Sequence, residues 1–503
     1  MLLFNIGMNF IISIIPIIIL LVLLLGFKTS IKRAALISLF YTLLASIYLG
    51  ADGKLIAVSF GKGLWMTFWI IYIIWPALLV YKLIDTTGGF KVIKEKFKAF
   101  SDKLLQLLIV GWIFPSFLQG VTGFGTPVVV TAPLLMGMGY SPIVSAIVPL
   151  IGCAWSVTFG SMGASYLATK LVTQLGPEES LIFAAFGAFF LSIICILTGF
   201  VISYIYGGFK AVKKGFPHIL ILGILMGITL NIIVRIEPCM ASFTSGIVGL
   251  ILGFLLARRN KKIENKGGTS FHSAFLPYYI LIAVVLLVML TPLSSFANTH
   301  CVFGFSFPET STKIWTNPAI MSYNPIKIFA HPGSFILFSA FISYIIYKKK
   351  GFGIDTKKIL RDTTVTTIPS FVSIAAILSL SSLMRDSGMI SILAQKATFF
   401  LFPFFSPMIG ALGTFITGSN TSSNMLLGAF QYTTAKNLGI NSLLILGSQT
   451  AGGAIGKMFS PTDMVLAASV TNILGREGEI MRFTVKIGII FCVLIGILTI
   501  FMV

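Results

Sequence analysis

Gly120-Val121-Thr122-Gly123-Phe124-Gly125-Thr126-Pro127 and Gly418-Ser419-Asn420-Thr421-Ser422-Ser423-Asn424 interrupt two long apolar stretches, 104–174 and 395–475. The first places three glycines within six residues, ahead of a proline. That pattern suits a tight hairpin tip where a ligand can approach backbone closely, although small residues can also serve close helix packing. The second strings six polar uncharged side chains together. Each needs a partner once buried, so the segment reads either as a self-satisfied loop or as a binding loop.

The rest of the chain sets the solvent around these breaks. Of 503 residues, 56% are hydrophobic and 10% are charged, and the mean hydropathy is +0.98. Water-soluble domains carry about 25% charged residues, so a soluble enzyme is excluded. The net charge of +21 would suggest nucleic acid in a soluble protein. In a membrane protein it reports basic loops on one face, and no nucleic-acid partner is expected. Cys153, Cys195, Cys239, Cys301 and Cys492 show no metal-ligating spacing and read as small hydrophobes. No cofactor or metal is expected.

A membrane-spanning helix needs about 20 mostly apolar residues. Such runs occur near 8–27, 34–50, 63–84, 178–206, 216–236, 240–257, 275–292, 333–347, 362–384 and 483–503. The first has no basic residues before it and several after it, so it reads as a retained helix rather than a cleaved signal. Six loops hold 24 of the 36 Lys and Arg, clustered at 28–33, 91–103, 210–214, 258–266, 348–361 and 476–482. The intervening loops hold seven: Lys54, Lys62, Lys313, Lys327, Arg385, Lys396 and Lys436. Rich and poor loops alternate if each broken stretch contributes one re-entrant hairpin and one spanning helix. The expected fold is therefore an all-α polytopic membrane protein. It has about twelve transmembrane helices and two re-entrant hairpins, with both termini outside the plasma membrane. The loop 293–332 reads as a small outer cap, and Glu178, Glu179 and Glu237 as solvated loop charges. His218 reads as structural.

The two broken stretches resemble each other. Phe117-Leu118-Gln119-Gly120 aligns with Phe415-Ile416-Thr417-Gly418, and further on Gly152-Cys153-Ala154 aligns with Gly452-Gly453-Ala454 and Phe159-Gly160-Ser161 with Phe459-Ser460-Pro461. The first copy follows a basic loop and the second a charge-poor one, so the copies are inverted. The repeat halves run approximately 85–206 and 350–475 of a single domain, 1–503. Inverted repeats with interrupted helices are the layout of secondary transporters. Interrupted backbone survives at membrane depth only inside protein or along a wet cavity, and freed helix N-termini favour an anion. Thr126-Pro127, Ser141-Pro142 and Ser460-Pro461 each read as an N-cap hydroxyl followed by proline. Ser460-Pro461-Thr462-Asp463 has capping-box spacing with Asp in place of Glu or Gln.

Gly452-Gly453-Ala454-Ile455-Gly456-Lys457 superficially resembles a phosphate loop, but Ala451 and Met458 occupy positions that need Gly and a hydroxyl. Lys457 and Asp463 are the charges this topology places deep in the membrane, where a charge is a functional candidate by default. Lys457 could hold a substrate carboxylate or pair with Asp463. Asp463 could cap its helix or carry a coupling proton. The substrate-binding candidates are Gly120, Thr122, Gly123, Gly125, Thr126, Ser419, Asn420, Thr421, Ser422, Ser423, Asn424, Lys457 and Ser460, with Gln119 and Asp463 as coupling candidates. No nucleophile–base pair of an intramembrane enzyme is visible, and a channel would need no inverted broken helices.

These segments resemble those of the L-lactate permease family. Phe117 to Pro127 is similar to its FLEG-x-x-GFG-x-P signature and Gly418 to Asn424 to its GSNTSSN segment. Gly452 to Pro461 and Arg482-Phe483-Thr484-Val485-Lys486 are similar to its GG-x-x-GKM-x-SP and RFTVK elements. Ser419-Asn420-Thr421 also resembles the SNT motif of dicarboxylate transporters. The resemblance implies uptake of 2-hydroxy monocarboxylates, lactate and glycolate, with protons; the alternative is a sodium-coupled carrier of another small carboxylate. The sequence departs from the family pattern at Gln119, where Glu is usual, and at Asp463, where a neutral residue is usual. A buried carboxyl is a natural proton carrier, so Asp463 takes over the coupling role that Gln119 cannot fill, or the coupling ion or substrate differs.

Overall fold

Each of the ten apolar runs is helical over most of its described residues. The helices are Leu2–Leu21, Ile31–Tyr48, Gly53–Thr86, Pro177–Ile233, Ala241–Leu256, Phe271–Met289, Pro332–Lys349, Thr356–Asp386 and Glu477–Met502. A computed structural model describes the chain except residues 1, 24–26, 28, 30, 99, 124, 258–269, 290, 314, 397–400 and 475. Lys28, Phe124 and the basic cluster 258–266 lie outside the described residues. The Pro177–Ile233 segment holds two of the runs. Its 57 residues would extend about 85 Å at 1.5 Å per residue, nearly three times a hydrocarbon core. It breaks at Gly207 and Gly208, whose backbone angles are non-helical. Among the described residues six helices are long and apolar enough to cross a membrane, counting this one once. The helical, apolar architecture makes the chain a multi-pass membrane protein. Leu36, Phe40, Leu44 and Ile47 are exposed along one face of the Ile31–Tyr48 helix, a face suited to lipid.

Each broken stretch folds as helix, break, helix, followed by a second interrupted helix. In the first, Lys103–Val121 contains a π-turn at Ile109–Ile113, and the chain restarts at Thr126–Met136. The two arms run back along each other: the Tyr140 hydroxyl donates to the Lys103 carbonyl at 2.6 Å. Pro142–Ser156 and Gly160–Thr173 then form a pair bent by 52°. In the second stretch Phe402–Thr417 and Asn420–Asn437 are the arms, tied by Gln431 Nε2 to the Ser406 carbonyl at 3.1 Å. Ser442–Gly456 and Pro461–Val470 follow across a short 3-10 turn. The open end of the first hairpin lies beside the long helix near its break, through Lys214–Asp102 at 2.9 Å and the Tyr140–Tyr206 ring contact. The second stretch lies beside the start of that helix, where Gly447 abuts Phe186.

The loop 293–332, expected as a small cap on an all-α fold, contains short strands, which departs from that expectation. A short helix, Leu293–Thr299, leads into Val302–Phe307 paired antiparallel with Ile320–Lys327, and Thr310–Ser311 pairs with Thr316–Asn317. The cap closes over a buried ion cluster that the sequence reading left in charge-poor loops. Lys62 Nζ and Ser59 Oγ each lie 3.0 Å from Asp386 Oδ2, and Arg385 Nε donates to Asp386 Oδ1 at 3.1 Å. Arg385 also reaches the Tyr323 hydroxyl of the cap at 3.3 Å, and Asn317 donates to the Asp386 carbonyl at 2.8 Å. Gly53–Thr86 and Thr356–Asp386 have 34 and 31 residues. A reading based on 20-residue spans therefore cuts both short and leaves their terminal charges outside. Lys457 and Asp463 are thus not the only buried charges.

Glu237 is half-buried rather than solvated and accepts from the Cys239 N–H at 3.2 Å. Burial holds its carboxyl above the usual carboxylate range. Cys153, Cys195, Cys239 and Cys492 are buried thiols and Cys301 is exposed.

Candidate substrate site

The two breaks come together on one helix start. Gly125, with φ +81°, is the N-cap of the Thr126–Met136 helix, and a Cβ on it would strike Leu466. Gly418, with φ +70°, ends the Phe402–Thr417 helix, and a Cβ there would strike Thr462. Left-handed backbone costs an L-residue about 1–2 kcal/mol, so glycine at each tip suits both the conformation and the contact. Both tips thus abut the first turns of the Pro461–Val470 helix. Thr126 is the first helical residue and not the cap expected from its hydroxyl, because the preceding glycine already turns the chain.

Between these elements lies a cavity of 340 Å³. Gln119, Ser161 and Ser165 line it from the first stretch, and Thr417 to Ser422, Lys457, Thr462 and Asp463 from the second. Seven of the sequence candidates therefore meet there: Gln119, Ser419, Asn420, Thr421, Ser422, Lys457 and Asp463. The others do not line it. Gly120 is a packing position, since a Cβ on it would lie 2.6 Å from Phe243 Cα. Thr122 donates to its own helix at the Leu118 carbonyl, 3.0 Å. Gly123 holds Ser161 and Gln119 against the tip.

The polar run is not a loop. Only Gly418 and Ser419 break the helix, and Asn420 to Asn424 form the opening turns of Asn420–Asn437, capped by Ser419 Oγ accepting from the Ser422 N–H. Much of its polarity joins the two stretches. Asn420 Nδ2 donates to Thr158 Oγ1 at 3.2 Å, the Thr421 and Ser165 hydroxyls lie 2.9 Å apart, and Asn424 Nδ2 donates to the Ser165 carbonyl at 3.0 Å. Ser423 donates to the Gly410 carbonyl at 2.9 Å. Ser423 and Asn424 hold the hairpin in place and face away from the cavity.

The charged end of the cavity is a closed pair. Lys457 Nζ lies 3.0 Å from Asp463 Oδ2 and 3.2 Å from Oδ1, with the residues 9% and 5% exposed. Ser460 donates to Asp463 Oδ2 at 2.8 Å and accepts from the Asp463 N–H at 3.3 Å. Half of the expected capping box forms: the carboxylate bonds the cap hydroxyl and Lys457 in place of the Ser460 N–H. Ser460 positions this pair from outside the cavity. Opposite it, Gln119 Oε1 is buried without a partner among the described residues.

Sequence reasoning missed Ser161, Ser165, Ser370 and Ser373. Ser161 sits in three successive left-handed residues, Ser161, Met162 and Gly163, with φ of +49°, +51° and +77°. Strained backbone of this kind gathers at ligand sites, and nothing in a side-chain pattern announces it. Ser370 and Ser373 follow Pro369 inside the 362–384 span, one turn apart on the face that lines the cavity. A proline followed by two serines one turn apart within an apolar run was the available signal.

A cavity lined by hydroxyls, two amides, one lysine paired with an aspartate and the starts of two capped helices suits a small carboxylate that can compete for the lysine. The sequence model of the L-lactate permease family matches residues 9–503. The glycolate permease GlcA of Escherichia coli K12 is 31% identical, over 98% of this chain and 96% of that protein. An L-lactate permease of the same strain is 31% identical over 88% of this chain and 86% of its own length. One from Streptococcus iniae is 32% identical over 86% and 92%. The solved YdaH transporter of Alcanivorax borkumensis has a similar fold, with a TM-score of 0.50 at 12% identity over 89% of this chain and 87% of that one. These relatives are permeases, and this chain, a transporter rather than an enzyme, belongs to the L-lactate permease family.

Proposed function

We propose that the protein is a secondary active transporter that imports L-lactate or related 2-hydroxy monocarboxylates such as glycolate, by proton symport. The observation that carries this reading is the Lys457–Asp463 pair at one end of a polar cavity between two broken helices. In this scheme the substrate carboxylate displaces Asp463 from Lys457. Two carboxylates would then share one ammonium in a buried cavity, an uncompensated negative charge that is costly there. A proton on Asp463 restores neutrality, so anion and proton load together. The substrate hydroxyl meets the Ser419–Ser422 segment and the serines opposite. A sodium-coupled carrier of another carboxylate is the second reading, favoured by the Gln119 oxygen, which is unpartnered among the described residues and belongs to a side chain of the cavity wall.

The scheme assigns twelve spans, two hairpins entering from opposite faces, inverted halves at about 85–206 and 350–475, and both termini outside. In a background lacking native cysteines, Thr312→Cys is expected to react with an impermeant thiol reagent on whole cells and Ser270→Cys is not. The reverse labelling pattern would overturn the topology.

Radiolabelled lactate uptake into proteoliposomes tests the function directly. Accumulation is expected under an imposed proton gradient, and accumulation under a sodium gradient alone would select the second reading. Asp463→Asn is expected to abolish proton-driven accumulation while leaving exchange of internal for external substrate largely intact, because exchange requires no net proton movement. If Asp463→Asn still concentrates lactate under a proton gradient alone, the carboxyl is a helix cap and coupling lies elsewhere.

A further inference from the structure

A second cavity lies away from the substrate site. It is a crevice of 260 Å³ between the Gly53–Thr86, Pro332–Lys349 and Thr356–Asp386 helices, lined by side chains that include Trp75, Leu79, Leu337, Phe341 and Leu360. Phe341 and Leu360 are 58% and 40% exposed, so the crevice opens sideways onto the apolar perimeter. One end is polar: the Tyr344 and Thr356 hydroxyls, both at the crevice wall, lie 2.7 Å apart. That end abuts the turn joining two of the helices. Residues 348–362 carry six cations, Lys348, Lys349, Lys350, Lys357, Lys358 and Arg361, against Asp355 and Asp362.

The counter-charges do not cancel this cluster. Asp355 is engaged as the N-cap of the Thr356–Asp386 helix, accepting from the Lys358 N–H at 3.0 Å. Asp85 lies just beyond Leu83 of the crevice wall, but Lys82 stands beside it. Lys350 donates to Ser273 Oγ at 3.1 Å, and Lys348 Nζ sits 5.9 Å above the Tyr344 ring. Among the described residues none of the six cations forms an ion pair. The start of a 31-residue helix at Thr356 adds its partial positive charge.

We propose that this crevice binds an anionic phospholipid, with an acyl chain among Trp75, Leu79, Leu337 and Leu360 and the phosphate on the basic turn at 348–361. The lateral opening, the carbon lining and the cations at one end match the two parts of such a lipid. Basic pockets between transmembrane helices are suited to anionic headgroups, and the long stems of Lys357 and Arg361 can cover the chain while their charges reach the phosphate. A free phosphate would leave the crevice unused, and a neutral lipid would leave the cations unanswered.

The test uses the full chain purified in detergent, with dioleoyl phosphatidylglycerol, dioleoyl phosphatidylcholine or inorganic phosphate as probes. Native mass spectrometry reads retention, and a melting curve reads stabilisation. Wild type is expected to retain phosphatidylglycerol and to melt higher with it, while phosphatidylcholine and phosphate have little effect. The exposed-charge variant Lys348→Gln/Lys357→Gln/Arg361→Gln is expected to lose at least tenfold in retention, as is the crevice-filling variant Ala340→Leu. Undiminished retention in the charge variant would overturn the proposal. So would equal stabilisation by inorganic phosphate, or full retention when the crevice alone is filled. The readouts involve no transport, so they stand apart from any result on lactate.

Discussion

Replacing Lys457 with Gln is expected to weaken lactate binding by about 100- to 4,000-fold and to abolish uptake. Lys457 is nearly buried and its ammonium holds both Asp463 oxygens. Removing one partner of such a pair costs roughly 3–5 kcal/mol, and each 1.4 kcal/mol is tenfold in affinity. Part of that loss could fall on folding, because Lys457→Gln leaves Asp463 facing only Ser460. The double variant Lys457→Gln/Asp463→Asn separates the two effects. It removes both charges, so the cavity no longer holds an unpaired carboxylate and insertion is expected to recover. Uptake is expected to stay lost, since the anion then has no cation to meet. Equilibrium binding of labelled lactate to purified protein, with uptake in proteoliposomes, measures both. Wild-type affinity in a properly inserted Lys457→Gln protein would make the pair a brace for the helix break and nothing more.

A second large effect is expected under the cap. Asp386→Asn would leave Lys62 buried and Arg385 half-buried around a neutral amide, with the Ser59 hydroxyl and the Asn317 amide alongside. An uncompensated buried charge costs on the order of 3–5 kcal/mol, so the melting temperature in detergent should fall by several degrees. Lys62→Met combined with Asp386→Asn should recover part of the loss, because the more deeply buried of the two cations is then gone while the partly exposed Arg385 keeps some solvent. The arrangement also ties the cap to the helix ends, since Arg385 reaches Tyr323 and Trp65 donates to the Tyr323 carbonyl at 2.9 Å. Proteolysis within 302–327 should therefore speed up in Asp386→Asn. An unchanged melting curve would show that the cluster contributes no net stability.

What could be read from residues alone follows from the solvent. In a bilayer, backbone polar groups must be paired within the chain, so long apolar runs become helices, as each of the ten did over most of its described residues. Breaks in such runs are equally legible, because Gly, Pro and polar side chains there need a reason. The helix breaks before Thr126 and Asn420 and the helix start after Ser460 stand where the punctuation put them. Lys457 and Asp463 were legible for the same reason, as charges inside apolar surroundings.

Tertiary structure alone decided which polar groups face the cavity and which face a neighbouring helix. Ser422 and Ser423 are adjacent in sequence, yet one lines the cavity and the other bonds the Gly410 carbonyl, because consecutive residues on a helix point about 100° apart. It also decided that Lys457 meets Asp463 across a break, that Lys62 meets Asp386 over more than 300 positions, and that Ser161 turns inward on left-handed backbone. Burial of an ion or a hydroxyl depends on what packs over it. That cover comes from distant segments, whose approach is set by small residues such as Gly120 and Gly418 and not by the local sequence pattern.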